Sequence, residues 1–268
     1  RTKHQLRDVL VWLITHSGVA VLYRARVRRR GPLLRVLCFH DVPDREWFEC
    51  VVAMLAREYH LITPKEFHQQ DFHNEKINVL LTFDDGYQSW VDVALPVLEQ
   101  HGVQGLFFIT SGLLDAAEEG EGAVKTFVRD RLRLHRTYRT LTWDGARQLV
   151  AAGHTIGGHT RTHASLGQLT DAEEIEREVA EDKTRLESEF NVEITNFAYP
   201  FGRPEDISLQ SEEVVGKHYS HRFSACTGFV TNQTLFLLLP RTVVPSSLTK
   251  RQLTQWIAGG YDIVQTLR

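Results

Sequence analysis

Two short stretches hold the side chains able to do chemistry. The first, TFDDGY at 82–87, sets two carboxylates, Asp84 and Asp85, side by side after the apolar run INVLL. Like charges this close to a core must be solvated, paired or bound to a cation. The second, GGHTRTH at 157–163, places His159 and His163 four residues apart. That spacing lets two imidazoles converge on one ion, in a helical turn or in a tight loop. Joined to a carboxylate from another part of the chain, they make a two-His, one-carboxylate set with positions open for water and substrate. Each stretch alone also fits an ordinary polar turn, and the chain has 13 histidines in all.

The elements around these stretches alternate short β-rich apolar runs with helical patterns, which predicts βα units rather than a sandwich. Strands are expected at RVLCF (35–39), INVLLTF (77–83), GLFFIT (105–110), within HTIGGH (154–159), at ITNFAY (194–199), in HRFSACTGF (221–229) and at LFLLLPRTVV (235–244). Helices are expected at FECVVAMLAREY (48–59) and at DVALPVLEQHG, where Pro96 suits a first turn and Gly102 a C-terminal end. Thr142 can cap a helix over WDGARQLVAA, stopped by Gly153. Thr170 with Glu173 forms a capping-box pattern for a helix through Phe190, with Ile175, Val179, Leu186 and Phe190 on one face. Residues 111–140 read as a long, partly helical connection whose acidic stretch DAAEEGEG (115–122) is a surface excursion. The polar clusters fall where strands end, the face on which a βα barrel builds its site.

A chain of 268 residues, 42% hydrophobic and 24% charged, can bury a large core in one or two domains. Its net charge of -3 hides an asymmetry. Residues 1–35 carry nine Lys or Arg against the single acid Asp8, and the rest carries 22 against 33 acids, a net -11. Within that basic segment Val9 to Tyr23 is apolar apart from Thr15, His16 and Ser17, too short and interrupted to span a bilayer. It predicts an amphipathic arm over residues 1–30 lying on an anionic inner leaflet, with Trp12 and Tyr23 at the interface, or a helix packed on the barrel. No nucleic-acid partner is expected, because the basic residues cluster at one end without interleaved aromatics. Cys38, Cys50 and Cys226, with no CxxC spacing, read as small buried hydrophobes in a reducing, cytoplasmic compartment.

Taken together, TFDDGY and GGHTRTH resemble the first two motifs of the polysaccharide deacetylases, the carbohydrate esterase group that includes the rhizobial NodB proteins. The resemblance runs from about Arg35 to Arg241 and takes in WDGARQLVAAGHTIGGHTRTHASL and FAYPFG (197–202). It implies a distorted α/β barrel of seven strands, with a basic helical arm over 1–34 and a catalytic domain over 35–268. It also implies that Asp85, His159 and His163 hold one divalent metal ion, zinc first, with cobalt or nickel as alternatives, while Asp84 is the general base. The adjacent acids then have two roles: one stays ionised on the metal and its neighbour is free to take a proton from water.

FAYPFG resembles the third motif of that family, in which the backbone N–H before the glycine, here that of Phe201, helps hold the tetrahedral oxyanion. Many members have an arginine orienting the base where this chain has Ala198; the alanine form resembles the poly-N-acetylglucosamine deacetylases. The family's leucine-rich strand ending in His-Asp is missing from LLLPRTVV but matches VLCFHDV (36–42), as in members with permuted motif order, so His40 would be the general acid. The implied reaction is removal of an N-acetyl group from an amino sugar of an envelope glycan or its lipid-linked precursor, with release of acetate. Trp90, Trp143 and Tyr199 could line a sugar platform or serve the core or rim. Competing readings are a catalytically silent glycan-binding module, a deformylase or cyclic imide hydrolase, and a phosphodiesterase or nuclease. The last needs a two-metal clamp, and only one ligand set is visible.

Overall fold

The apolar runs are extended, and buried on both faces as parallel strands must be. A computed structural model describes residues 2–134, 139–232, 234 and 238–266. Its strands are β1 (Leu34–Phe39), β2 (His60–Leu61), β3 (Asn78–Asp84), β4 (Leu106–Ile109), β5 (Thr155–Gly158), β6 (Asn196–Ala198), β7 (His221–Phe223), β8 (Leu238–Leu239) and β9 (Thr242–Val243). Pairings among them are parallel, in the order β8-β7-β6-β5-β4-β3-β1-β9, with β2 beside β3.

The two ends of that order, β8 and β9, are separated in the chain by only Pro240 and Arg241. A linker that short reaches about 3.3–3.6 Å per residue, so the sheet must curl until its edges nearly meet. Pro240, which has no N–H to offer, divides the expected strand LFLLLPRTVV into a half that pairs with β7 and a half that pairs with β1. Taken as one interrupted strand, these halves make the barrel seven-stranded, with β2 as an added stub. Residues 235–237 of that expected strand lie outside the described residues.

Alternation along the strands sorts two apolar clusters. Leu34, Val36, Leu80, Leu106, Phe108, Phe223 and Leu239 fill the barrel, while Leu37, Phe39, Val79, Leu81 and Phe83 face the helices outside.

The helices are α1 (Thr2–His16), α2 (Val19–Arg28), α3 (Arg45–Glu58), α4 (Pro64–Gln69), α5 (Leu95–Gln100), α6 (Ser111–Glu119), α7 (Glu121–Asp130), α8 (Trp143–Ala151), α9 (Ala172–Phe190), α10 (Leu209–His218), α11 (Lys250–Ile257) and α12 (Gly260–Thr266). A π-helical turn, Trp90–Ala94, leads into α5. Thr142 caps α8 as expected, accepting from the Gly145 N–H. The cap of α9 is Asp171 rather than Thr170: its carboxylate accepts from the Glu173 N–H, and its charge suits a helix N-terminus. DAAEEGEG is not an excursion but the end of α6 and the start of α7, broken at Gly120. Trp90 and Trp143 are buried, their indole N–H groups donating to the His40 carbonyl and to Asp115, and Tyr199 is 1% exposed. All three belong to the main apolar cluster, the core role expected of them. Cys38 is buried, but Cys50 is exposed on the outer side of α3 and Cys226 is half-buried.

The two N-terminal helices turn at Gly18 (φ 82°) and pack on α11 and α12. The Tyr23 hydroxyl donates to Asp262, and Arg24 to the Ala258 carbonyl. Arg35 forms a buried, two-pronged ion pair with Asp262 at 3.0 and 2.9 Å, tying β1 to α12.

Candidate active site

Asp84 is the last residue of β3 and continues the inward series Leu80, Thr82, so its carboxylate enters the barrel mouth. Both of its oxygens accept from one guanidinium: Arg241 Nη1 to Oδ1 and Nη2 to Oδ2, each at 2.7 Å. Arg241 also donates through Nε to the Ser224 carbonyl, and the Cys38 Sγ lies 3.3 Å from Asp84 Oδ2. Asp85 leaves the strand in the left-handed region, φ 85°, followed by Gly86 at φ 90°. That turn sends the second carboxylate elsewhere: its Oδ1 lies 3.4 Å from His159 Nε2 and 3.2 Å from His163 Nε2.

His159 follows β5 directly, and its Nδ1 donates to the Ala198 carbonyl at 2.7 Å, which fixes the tautomer and leaves Nε2 facing Asp85. Its backbone N–H donates to Asp182 Oδ2, while the Ser111 N–H donates to Oδ1 of the same buried carboxylate. Asp182 thus ties the ends of β4 and β5 together from α9. Burial pushes its carboxyl up to about 6 against the pull of those hydrogen bonds.

Four non-glycine residues of the motifs, Asp85, Thr160, His163 and Phe201, have φ between 59° and 85°. Such conformations cost of order 1–3 kcal/mol each, and here they are gathered where the polar side chains converge. Gly202 (φ 63°) has no alternative, since a Cβ there would sit 2.6 Å from the Ala225 nitrogen. The Phe201 ring packs edge-on against His163, with centroids 4.8 Å apart. His40 follows β1 directly with its carbonyl held by Trp90, and a ligand atom of its ring lies within 4.8 Å of Cys38 and Asp84. A cavity of about 550 Å³ is lined by all six expected residues, His40, Asp84, Asp85, His159, His163 and Phe201.

The electrostatics divide the two acids. Burial raises the Asp84 carboxyl, but the Arg241 charge and then His159 more than offset it, and the group sits below its ordinary value. Burial likewise acts on Asp85, yet the hydrogen bonds from His159 and His163 hold it well below the carboxylate range. His159 is raised, because Asp85 and Asp84 outweigh its burial, whereas burial wins at His163 and lowers it.

The donor set fits a divalent metal. Asp85, His159 and His163 each offer an atom within 4.8 Å of the others, one carboxylate is ionised, and the imidazole tautomer at His159 is preset. A second group, Cys38, His40 and Asp84, is equally close, but both Asp84 oxygens are taken by Arg241, whose positive charge disfavours another cation there. That arrangement counts against the two-metal readings.

Three residues of the site were not expected. Arg241 pairs with both oxygens of Asp84, and its signal was a lone Arg inside an apolar run. Asp182 sits in the stripe Ile175, Val179, Leu186, an acid where the helix pattern calls for an apolar residue. Cys38, beside Asp84, carried no signal beyond being apolar.

A family model for polysaccharide deacetylases matches residues 73–220, more than half of the chain. The chain belongs to the polysaccharide deacetylase family. Among relatives, Bacillus subtilis (strain 168) YxkH is 26% identical over 194 residues, covering 68% of this chain and 62% of its own length. The chain therefore spans less than two thirds of YxkH. The poly-beta-1,6-N-acetyl-D-glucosamine N-deacetylase of Staphylococcus epidermidis is 21% identical over 260 residues, covering 92% of this chain and 85% of that one. The Streptococcus pyogenes deacetylase PplD, solved in complex with acetate, superposes with a TM-score of 0.68 at 19% identity, over 84% of this chain and 98% of PplD. The deacetylase barrel is thus shared, with the match to the family model beginning in the chain just before β3.

Proposed function

We propose that this deacetylase is a metal-dependent hydrolase that removes the N-acetyl group from an amino sugar of a bacterial envelope glycan or its lipid-linked precursor. The observation that carries the reading is the division of labour between Asp84, clamped by Arg241, and Asp85, turned onto two imidazoles. Asp85, His159 and His163 would hold the ion, zinc first, with cobalt or nickel as alternatives. When bound, it supplies Lewis acidity toward the amide carbonyl and acidity to water.

The chain's own groups do the rest. Asp84, ionised, takes the proton of the attacking water as its oxygen bonds to the acyl carbon. The Phe201 N–H donates to the oxyanion. His40 gives a proton to the departing nitrogen as the C–N bond breaks, leaving acetate and a free amine. Residues 35–268 form the catalytic domain in this reading and 1–34 the arm. A cytoplasmic-side location suits Cys50, a free thiol on the surface.

Elemental mass spectrometry should find near one zinc-like ion per purified chain and none in His159→Ala/His163→Ala. An ion retained by the double variant would remove this ligand set. With N-acetylglucosamine oligomers, the wild type should remove acetyl groups one mass step at a time, and no mass loss across oligomers and lipid-linked sugars would overturn the activity. His40→Ala should keep its ion and lose turnover by about 10²-fold or more; near-full turnover would reassign the general acid.

A further inference from the structure

Among the described residues nine large apolar side chains are exposed, and seven of them lie between Val9 and Leu22. This is not the leftover side of a packed hairpin. Its inward face is already filled: Val11 and Ala20 are fully buried, and Tyr23 and Arg24 bond to α12 and the turn before it. The outward face carries Trp12 and Leu13 on α1 and Val19 and Leu22 on α2, with Leu22 72% exposed. Beyond them on α2 and its C-terminal turn come four exposed arginines, Arg26, Arg28, Arg29 and Arg30. Apolar residues around a helical turn with guanidinium groups behind them are what a helix needs to lie in the headgroup region of a bilayer.

Charge selects the occupant. The first 35 residues hold nine Lys or Arg and one acid, while the rest of the chain is net negative. A second copy docking here would face cations with cations. An anionic lipid surface attracts the hairpin and repels the remainder, which also orients the molecule.

We propose that the α1–α2 hairpin docks the protein on an anionic lipid bilayer, its exposed apolar residues entering the interface and Arg26 to Arg30 meeting lipid phosphates. The hairpin and the cavity share one helix. A Cβ on Gly260 would meet Thr15 and Val11, while Tyr261 and Gln265 of α12 line the cavity. Arg7 lies over the Trp256 and Tyr261 rings, 5.4 and 5.7 Å from their centroids. Docking therefore holds the cavity near the lipid–water boundary, which on the deacetylase reading favours an amino sugar carried on a lipid. The docking itself does not depend on that reading.

The test is flotation of the full chain with vesicles of phosphatidylcholine alone or mixed with phosphatidylglycerol, so it is independent of turnover. Wild type should float with the anionic vesicles, bind the neutral ones at least tenfold more weakly, and lose binding as salt shortens the Debye length. Leu13→Glu/Leu22→Glu and Arg26→Glu/Arg29→Glu should each lose at least tenfold with unchanged Tm, because all four side chains are exposed. Three results would overturn the proposal: no flotation of wild type, flotation unchanged in both variants, or a dimer in sedimentation that Leu13→Glu/Leu22→Glu dissolves while vesicles bind neither form.

Discussion

Asp84→Asn is expected to lower kcat/KM for acetate release by about 10²- to 10⁴-fold, the usual contribution of a positioned general base, while the protein keeps its ion. The amide preserves the shape of the side chain but has no charge to accept a proton. Because Asp85, not Asp84, faces His159 Nε2 and His163 Nε2, the ligand set survives the change. The amide keeps one oxygen that can accept from Arg241 but offers no charge to offset the buried guanidinium, so Tm should fall as well. Turnover and ion content, measured together on one preparation, decide the matter. Unchanged turnover would remove Asp84 as base, absence of turnover in wild type and variant alike would favour a binding module, and loss of the ion along with turnover would place Asp84 among the ligands.

Arg241→Met should destabilise the fold by about 3–5 kcal/mol near neutral pH, the cost of leaving a buried charge without its partner. The deficit should depend on pH in a direction the pair itself dictates. In the wild type the Asp84 carboxyl titrates below its unfolded value, so its stabilising contribution is present above that value and lost as pH falls through the folded one. With methionine at 241, burial loses its chief opponent and the folded value rises above the unfolded one. The contribution of Asp84 is then fully present below the unfolded value and lost as pH rises through the raised one. The Tm difference between the two proteins should therefore shrink toward acid, and the acid limb of the activity profile should move to higher pH. Parallel Tm profiles together with an unmoved acid limb would show that Arg241 neither stabilises nor tunes the base. Asp84→Asn/Arg241→Met removes both charges and should recover much of the lost stability without recovering turnover.

The strands and the two polar motifs were legible because their signals are local. INVLLTF reads as a buried strand from its own composition, and the position of Asp84 at its end follows from a period of two. Asp84 with Asp85, and His159 with His163, are neighbours in the chain, so their shared purpose shows within a few residues. The errors arose where a residue's environment depends on distant chain. Thr170 and Asp171 are both good caps, and the choice between them rests on how the chain leaves Leu169 and enters α9. Cys50 lies on a helix whose outer side is visible only once α3 is packed.

By itself the sequence determined the βα alternation, the polar residues at strand ends, the resemblance to the deacetylases and the charge asymmetry of the arm. The alternation, the strand-end polar residues and the charge asymmetry are properties of composition or periodicity along a single stretch, and the resemblance rests on short motifs each contained in one stretch. Only the tertiary structure decided that Arg241 pairs with Asp84 from the strand that closes the barrel, that Asp182 holds the β4 and β5 ends, and that the apolar side of the arm faces outward. These facts join residues as far apart in the chain as Asp84 and Arg241. A buried ion pair becomes visible only when folding has removed both partners from water, because desolvation is what obliges the charges to find each other.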